Sequence, residues 1–517
     1  MNRYWSFVLL LSGFFGLLGA CKQGNPNSTE SAATTLARGE ALAKVRCAAC
    51  HAYPDPALLP QGTWEQYILP RMGYMLGIYP HDTIRNSLIE KGIGAEKVLA
   101  AGIFPEKPQI SAQDWAAIQA FYLDQAPRDF PPYEIAPVQA GLAQFSVRVP
   151  EYRLSPPSST MVHIPKTGGL YLGDANSKAM YLFDKNLQLQ KAANVKEGAV
   201  DIAEMDDRLL ITVMGSFSPT DASSGFVFQL PTSPKLQPLV LMDGLQRPVH
   251  TAWGDLNGDQ RLDAVICEFS KYTGTLGWWE QQADGKFQKH ILGNRPGATC
   301  SYLRDVNKDG RMDIVALFGQ GDEGIYTYYN EGEGKFKEVR TLRFPASYGS
   351  SFFALCDFNG DGHEDILYTC GDNADYSPIL KPYHGIRIFT NDGKNNFKQT
   401  WFYPLHGAYK ALPVDFDRDG DIDLAAISFF PDFSNALPSG FVYLENTGKM
   451  QFKSMTFPEV GLGRWITMDS GDFDLDGDVD LALGSLAFEV IPDRGEIGRW
   501  VQKGIPFVML ENKAIQK

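Results

Sequence analysis

Basic charge is scarce in this chain. Lys and Arg number 47 against 61 Asp and Glu, a net charge of -14 over 517 residues. Clustered cations for a phosphate backbone are therefore lacking, and nucleic acid is excluded as a partner. Histidine is also sparse, with eight residues scattered along the chain and no His metal cluster. There is no phosphate-binding glycine loop, no dinucleotide fingerprint and no G-x-S-x-G elbow, which excludes the nucleotide-dependent and serine-hydrolase classes that need them. Past residue 21 no apolar run reaches the length of a membrane span. What is present is globular in composition, 44% hydrophobic and 12% aromatic, enough for a sizeable core. The length suggests about three ordinary domains, although all-β architectures run longer.

The first 21 residues read as an export signal, with Arg3 as the basic end and an apolar run from Phe7 to Leu18. The run closes with Leu18-Gly19-Ala20-Cys21. That ending resembles the lipobox of bacterial lipoproteins, which implies cleavage before Cys21, diacylation of its sulfur and membrane attachment through lipid only. A plain signal peptide or a membrane anchor are the alternatives. The expected location is the bacterial cell envelope, on the periplasmic or surface face of the outer membrane. Residues 22–35, rich in Ser, Asn and Thr, read as a flexible tether.

Cys47-Ala48-Ala49-Cys50-His51 is a CxxCH pentapeptide. Two thiols three apart, followed by an imidazole, let one helical turn bond both vinyl groups of a haem and set His51 beneath the iron. A thioredoxin-like redox pair needs no adjacent His. A zinc site needs a second ligand pair, and the next cysteine is Cys267. Apolar spacing predicts a helix from Leu36 to Arg46, and Ser111 to Asp114 caps a second one through Tyr122. A helix leading into CxxCH and another closing the segment resemble the small all-α class I cytochrome c fold, over residues 36–126. The resemblance implies one covalent haem c, electron exchange with a redox partner protein, and a distal ligand, usually Met. Pro70-Arg71-Met72-Gly73-Tyr74-Met75-Leu76-Gly77 offers Met72 first, Met75 next and His81 third, on a loop expected to cross the haem face. Cys267, Cys300, Cys356 and Cys370 remain, as disulfides in one of three pairings or as buried free thiols. Residues 127–140 form a proline-rich linker.

From 141 to 517 the chain repeats. Five loops fit D-x-[DN]-x-D-G-x-x-D, namely DLNGDQRLD from Asp255, DVNKDGRMD from Asp305, DFNGDGHED from Asp357, DFDRDGDID from Asp415 and DFDLDGDVD from Asp472. Oxygens at positions one, three, five and nine can surround a hard cation, and glycine at six permits the sharp turn. The candidate ligands are Asp255, Asn257, Asp259 and Asp263; Asp305, Asn307, Asp309 and Asp313; Asp357, Asn359, Asp361 and Asp365; Asp415, Asp417, Asp419 and Asp423; and Asp472, Asp474, Asp476 and Asp480. Calcium, about five ions, is the expected cofactor. The first loop carries Gln260 where glycine is expected, and no loop has the Glu of an EF-hand at position twelve. Each loop sits between strand-like runs, with two further strands and an Asn-x-Gly turn before the next, about fifty residues per period. The pattern resembles the VCBS and FG-GAP repeats of integrin-alpha-type β-propellers. Two degenerate blades within 141–240 and five regular ones imply seven blades.

If each loop joins the first and second strands of a blade, the starts of first strands and ends of second strands lie on the opposite face. His250, Lys410, Arg464 and Trp465 are expected there, around the channel mouth, with Tyr376 on the longest insert. The face suits a carbohydrate or another envelope protein. Asp372, Asp375 and His384 are weak candidates for acid and base catalysis. The reading is a lipid-anchored electron-transfer protein with a calcium-bound docking propeller. Its alternatives are a redox or carbohydrate-active enzyme drained by the haem, and an adhesion or assembly module.

Overall fold

The computed structural model describes residues 31–133, 135, 137–232, 237–374, 379–435, 438–487 and 495–514. The export signal, Cys21, most of the tether, Asp375 and Tyr376 lie outside the described residues. No helix among the described residues is long and apolar enough to cross a membrane.

A helical segment comes first. Helix α1 (Ala32–Arg46) is capped by Ser31, whose hydroxyl accepts from the Thr34 amide, and runs into a 3-10 turn at Cys47–Ala49. Helices α2 (Leu69–Met75), α3 (Asp82–Leu88) and α4 (Ile93–Ala100) follow. Helix α5 (Ala112–Gln125) begins at the expected Ser111 cap, which accepts from Asp114 N at 3.1 Å. Helices α1 and α5 cross at Gly39, where a Cβ would stand 2.0 Å from the Ala117 carbonyl oxygen. Arg38 ties the same crossing through Asp114, with Nε to Oδ1 at 2.9 Å. Trp64, Leu69, Trp115, Ile118, Phe121 and Tyr122 fill the core of the segment.

The loop expected to carry Met72 and Met75 is helical instead. Pro70 lies inside a continuous helical run from Gln61 to Met75, just after a π-helical stretch at Trp64–Ile68, where the regular amide ladder is already interrupted. Gly77, at φ +75°, lies just past the end of the helix. The Gly flank therefore ends a helix that runs through the Pro flank, and the stretch is not a loop.

The rest is a seven-bladed propeller. Four-stranded antiparallel blades cover residues 159–194 (I), 199–245 (II), 248–293 (III), 298–343 (IV) and 350–404 (V). Blade VI (408–456) gains Gln139–Ala140 as a parallel fifth strand, so the sheet begins two residues before the expected boundary at 141. Blade VII combines Trp465–Gly471, Asp480–Ser485 and Phe507–Asn512 with Phe145–Arg148. The ring is closed by this last pairing, which registers Phe145 against Asn512. Second strands such as Asp313–Phe318 are buried throughout, because neighbouring blades cover both faces. Cys267, Cys300 and Cys370 are buried and Cys356 half-buried, all as free thiols.

One buried carboxylate organises each loop-bearing blade. The aspartate at position nine accepts from the position-two amide and from an amide of the third strand. For Asp263 the donors are Leu256 N at 3.2 Å and Gln281 N at 2.8 Å. Asp313 takes Val306 N at 3.0 Å and Asn330 N at 2.7 Å, and Asp480 takes Phe473 N at 2.8 Å and Asn512 N at 2.7 Å. In blades IV and VII the third-strand asparagine also reaches the preceding blade. Asn330 Nδ2 donates to Leu256 O at 2.8 Å, and Asn512 Nδ2 donates to Phe416 O at 2.9 Å.

Two substitutions test this packing. Gly39→Leu has no room at the helix crossing and is expected to lower stability by about 3 kcal/mol in denaturant unfolding of the helical segment. Asn330→Ala leaves Leu256 O and Met312 O without their side-chain donor, and about 1–3 kcal/mol is expected to be lost from the propeller transition.

Candidate functional site

The CxxCH run lies where α1 ends. Cys47 is half-buried and Cys50 exposed. Burial pushes the Cys47 thiol up, the reverse of the activated thiolate that a thioredoxin-like pair requires. His51 Nδ1 lies 2.7 Å from the Ala52 carbonyl oxygen. A carbonyl only accepts, so Nδ1 carries the proton and Nε2 keeps its lone pair for a metal. Cys47 and Met72 both pack against the core cluster of Trp64, Trp115 and Tyr122. Met75 is half-buried and His81 exposed, and neither belongs to that cluster. Four donors of the kinds that covalent haem needs, Cys47, Cys50, His51 and Met72, are thus present in one segment.

The helical segment sits on the propeller face opposite the acidic loops. Glu90 Oε1 accepts from Asp221 N at 2.8 Å, and its Oε2 accepts from Thr220 Oγ1 at 2.7 Å. Lys97 Nζ donates to Ser223 Oγ at 2.5 Å. Phe104 meets Tyr272 edge-on at 5.2 Å, and Tyr383 OH donates to Leu58 O at 2.8 Å. Each propeller partner lies between the second and third strands of its blade. The face expected to bind a ligand is in this way largely occupied by the chain's own N-terminal segment.

The expected ligand residues separate accordingly. Lys410 Nζ donates to Met468 O of the neighbouring blade VII at 2.8 Å, and His250 Nδ1 accepts from Ser301 N of the neighbouring blade IV at 3.4 Å. Arg464 and Trp465 are corrections. Arg464 is 2% exposed, lies 3.6 Å from the Phe429 ring centroid and donates from Nε to Phe429 O at 2.7 Å. Trp465 is fully buried in the core between blades VI and VII, its Nε1 bonded to Val460 O at 3.0 Å. Neither offers a surface to a ligand. Phe217, Tyr409, Ile466 and Leu486 complete an apolar plug with Phe429 and Phe430 at the channel mouth.

Asp372 and His384 occupy the blade V insert. Burial pushes the Asp372 carboxyl up, opposed by Lys381 and Arg247. His384 is 1% exposed, and burial holds its imidazole well below the usual range, with Lys381 and His406 adding to the shift. A neutral, solvent-free imidazole is poorly suited to exchanging protons with a substrate.

Composition did not single out Glu323. It is buried, accepts from Ser350 N at 2.9 Å and from Ser350 Oγ at 2.6 Å, and burial pushes it up to about 8. Nor did it reveal the third-strand asparagines, although their Asn-x-Gly spacing is a usable signal.

The acidic loops differ among themselves. The carboxylates of Asp415, Asp417 and Asp419, and those of Asp472, Asp474 and Asp476, converge within 4.8 Å and could hold a metal. In blades III and IV position three is Asn257 or Asn307, and Arg261 and Arg311 pair with Asp259 and Asp309. In blade V, Asp357 accepts from Gly360, Asp361 and Gly362 amides. Gln260 takes φ +66°, the conformation that Gly310, Gly420 and Gly477 hold without Cβ strain. Burial raises the position-nine group in every loop, Asp423 to about 6 and Asp480 to about 7.

A model of the FG-GAP-like repeat family matches residues 255–316 and 305–368, the loop-bearing parts of blades III to V. The Bacillus subtilis (strain 168) protein YybI, itself uncharacterized, is 24% identical over 209 residues, which cover 37% of this chain and 75% of that protein. A streptogramin B lyase structure covers 71% of this chain and 98% of its own at 12% identity, with a TM-score of 0.45. Virginiamycin B lyase from Staphylococcus aureus covers 71% and 99% at 10% identity, with a TM-score of 0.44. The chain thus carries FG-GAP repeats on a seven-bladed propeller.

Glu323 yields a pH prediction. Its folded value of about 8 lies above the 4.5 of the free side chain. The neutral carboxyl therefore contributes stability that is fully present below about pH 4.5 and is lost as pH rises through about 8. Glu323→Gln keeps the shape without the charge. Its thermal midpoint is expected to fall less than wild type between pH 5 and about 8.5; parallel profiles would exclude the assignment.

Proposed function

We propose that the chain is an electron-transfer protein of the cell envelope. One haem c is held through thioether bonds by Cys47 and Cys50, with His51 and Met72 as axial ligands. It is carried on a calcium-stabilised propeller that docks a ligand or partner. The observation that carries this reading is the CxxCH turn at the end of α1, with Cys47 and Met72 against one core cluster and His51 Nε2 left free by the Nδ1 contact. Bound haem supplies a one-electron couple, and a thioether ligand favours the ferrous form. The protein does the rest. The Ala52 carbonyl fixes the tautomer of His51 and orients its ring. Trp64 and Tyr122, in tilted contact at 4.5 Å, exclude water from the same core.

Calcium is assigned to the acidic loops, with blades VI and VII as the stronger sites because each offers three converging carboxylates. In blades III and IV the arginine on the position-five carboxylate competes with a cation. Catalysis on the covered face is disfavoured by the burial of His384, which leaves docking of a carbohydrate, a redox partner or another envelope protein as the propeller's role. Diacylation at Cys21 would hold the assembly to the membrane.

Protein made in a host that attaches haem c should show ferrous bands on dithionite addition, and Cys50→Ala should lose haem that survives denaturation. Absence of any haem band in wild type would end the reading. Met72→Ala should lower the reduction potential and Met75→Ala should leave it near wild type. The reverse order would exchange the two ligands. Chelation should lower the propeller's thermal midpoint, since a cation at a hundred times its Kd contributes about 2.7 kcal/mol. Asp474→Asn should reproduce part of that loss.

A further inference from the structure

His163 ends the first strand of blade I, at the end from which the acidic loops spring in blades III to VII, and its imidazole lies between two carboxylates. Nε2 stands 3.1 Å from Glu204 Oε1 on the first strand of blade II, and Nδ1 stands 3.2 Å from Asp469 Oδ2 on the first strand of blade VII. One ring thus spans three consecutive blades. By contrast, His290 pairs through Nε2 with Glu280 of its own blade, at 2.9 Å.

A neutral imidazole has one N–H and one lone pair, so it can donate to one of these acceptors and must turn its lone pair on the other. The imidazolium donates to both. The backbone keeps the acceptors in place, with Ile164 N donating to Asp469 Oδ2 at 2.9 Å and Lys166 N to Glu204 Oε1 at 3.2 Å. Other ionisable groups on the packed strands are engaged elsewhere. Tyr171, opposite His163 in the sheet, is pushed up by burial and by Glu204, while Asp174 on the same strand accepts from Ser158 and Ser177 hydroxyls. Asp201 of blade II accepts from Thr251 N, and Asp480 of blade VII from Phe473 N and Asn512 N. Although burial opposes it, Asp469 and Glu204 raise the His163 ring above its ordinary range. The three side chains remain 20–27% exposed, so water can carry the proton in and out.

We propose that His163 is a proton-operated clasp joining blades I, II and VII, which holds Glu204 and Asp469 together when protonated and lets one of them go when the proton passes to water. The clasp lies on the face away from the helical segment and is independent of the haem reading. Its sign is fixed by the raised folded value. The contribution to stability is fully present below the free value of about 6.5 and is lost as pH rises through the folded value.

The test follows the ring itself, by proton–nitrogen NMR of the full-length protein carrying nitrogen-labelled histidine, between about pH 5 and 9. His163→Gln identifies the signal by its loss, and if that variant does not fold, Glu204→Gln and Asp469→Asn identify it by its shift. Both ring nitrogens are expected to stay protonated past pH 6.5, and each carboxylate variant is expected to weaken proton binding at His163 about tenfold. The thermal midpoint of wild type is expected to fall more than that of His163→Gln between about pH 6 and 9. A ring that loses its proton at or below the free value, a signal that neither carboxylate variant moves, or parallel midpoint profiles would each overturn the inference.

Discussion

The propeller depends on a carboxylate buried where each acidic loop returns to the sheet. A charged or even a neutral carboxyl is costly to bury unless its oxygens find donors. Here both do, one at the loop's second residue and one on the third strand, as at Asp313 and Asp480. The same group therefore sets the loop's entry and the register of the third strand. Asparagines at that register then bind the loop of the preceding blade, as Asn330 and Asn512 do. Loop and sheet are linked through the aspartate in each loop-bearing blade, and in blades IV and VII the asparagine extends the link to the blade before.

That arrangement divides the molecule's two faces. On one face the loops are short and repetitive, each built around its own carboxylates. On the other the connections vary in length, and there the helical segment rests through Glu90, Lys97, Phe104 and Leu58. Burial under this segment, and between the blades, explains why polar groups on that face have unusual protonation. Glu323 and His384 lie among packed side chains with little access to water, and both favour their neutral forms. The exception is the cleft beside Cys50, where charged groups of blade IV remain open and ordered.

Much of this was legible in the chain itself. Five copies of one loop, with strand-like runs around them, imply blades, and the two loop-free stretches before them complete seven. The acidic positions, the Ser111 cap and CxxCH are all local patterns of a few residues, and local patterns survive without knowledge of the fold. The Pro70 to Gly77 stretch was misleading for an equally local reason. Pro and Gly are turn residues by local preference, yet here a helix begun at Gln61 runs through Pro70 and ends only before Gly77, packed so that Gly73 lies 3.2 Å, by its would-be Cβ, from the Trp115 ring.

Other features were settled by contacts between residues far apart in sequence. Arg464 and Trp465 begin a strand like their counterparts elsewhere, yet they are buried against an aromatic plug and in an inter-blade core rather than exposed to a ligand. Nothing in their own neighbourhood announces Phe429, Phe430 or Phe217. The cover over the propeller face and the cleft that joins Cys50 to Arg295 and Arg340 arise in the same way. The sequence by itself determined the repeat, the acidic positions of its loops and the CxxCH run, because each is carried by neighbouring residues. The tertiary structure alone decided which surface is buried and which charges lie beside Cys50, because those depend on how the helical segment comes to rest on the ring.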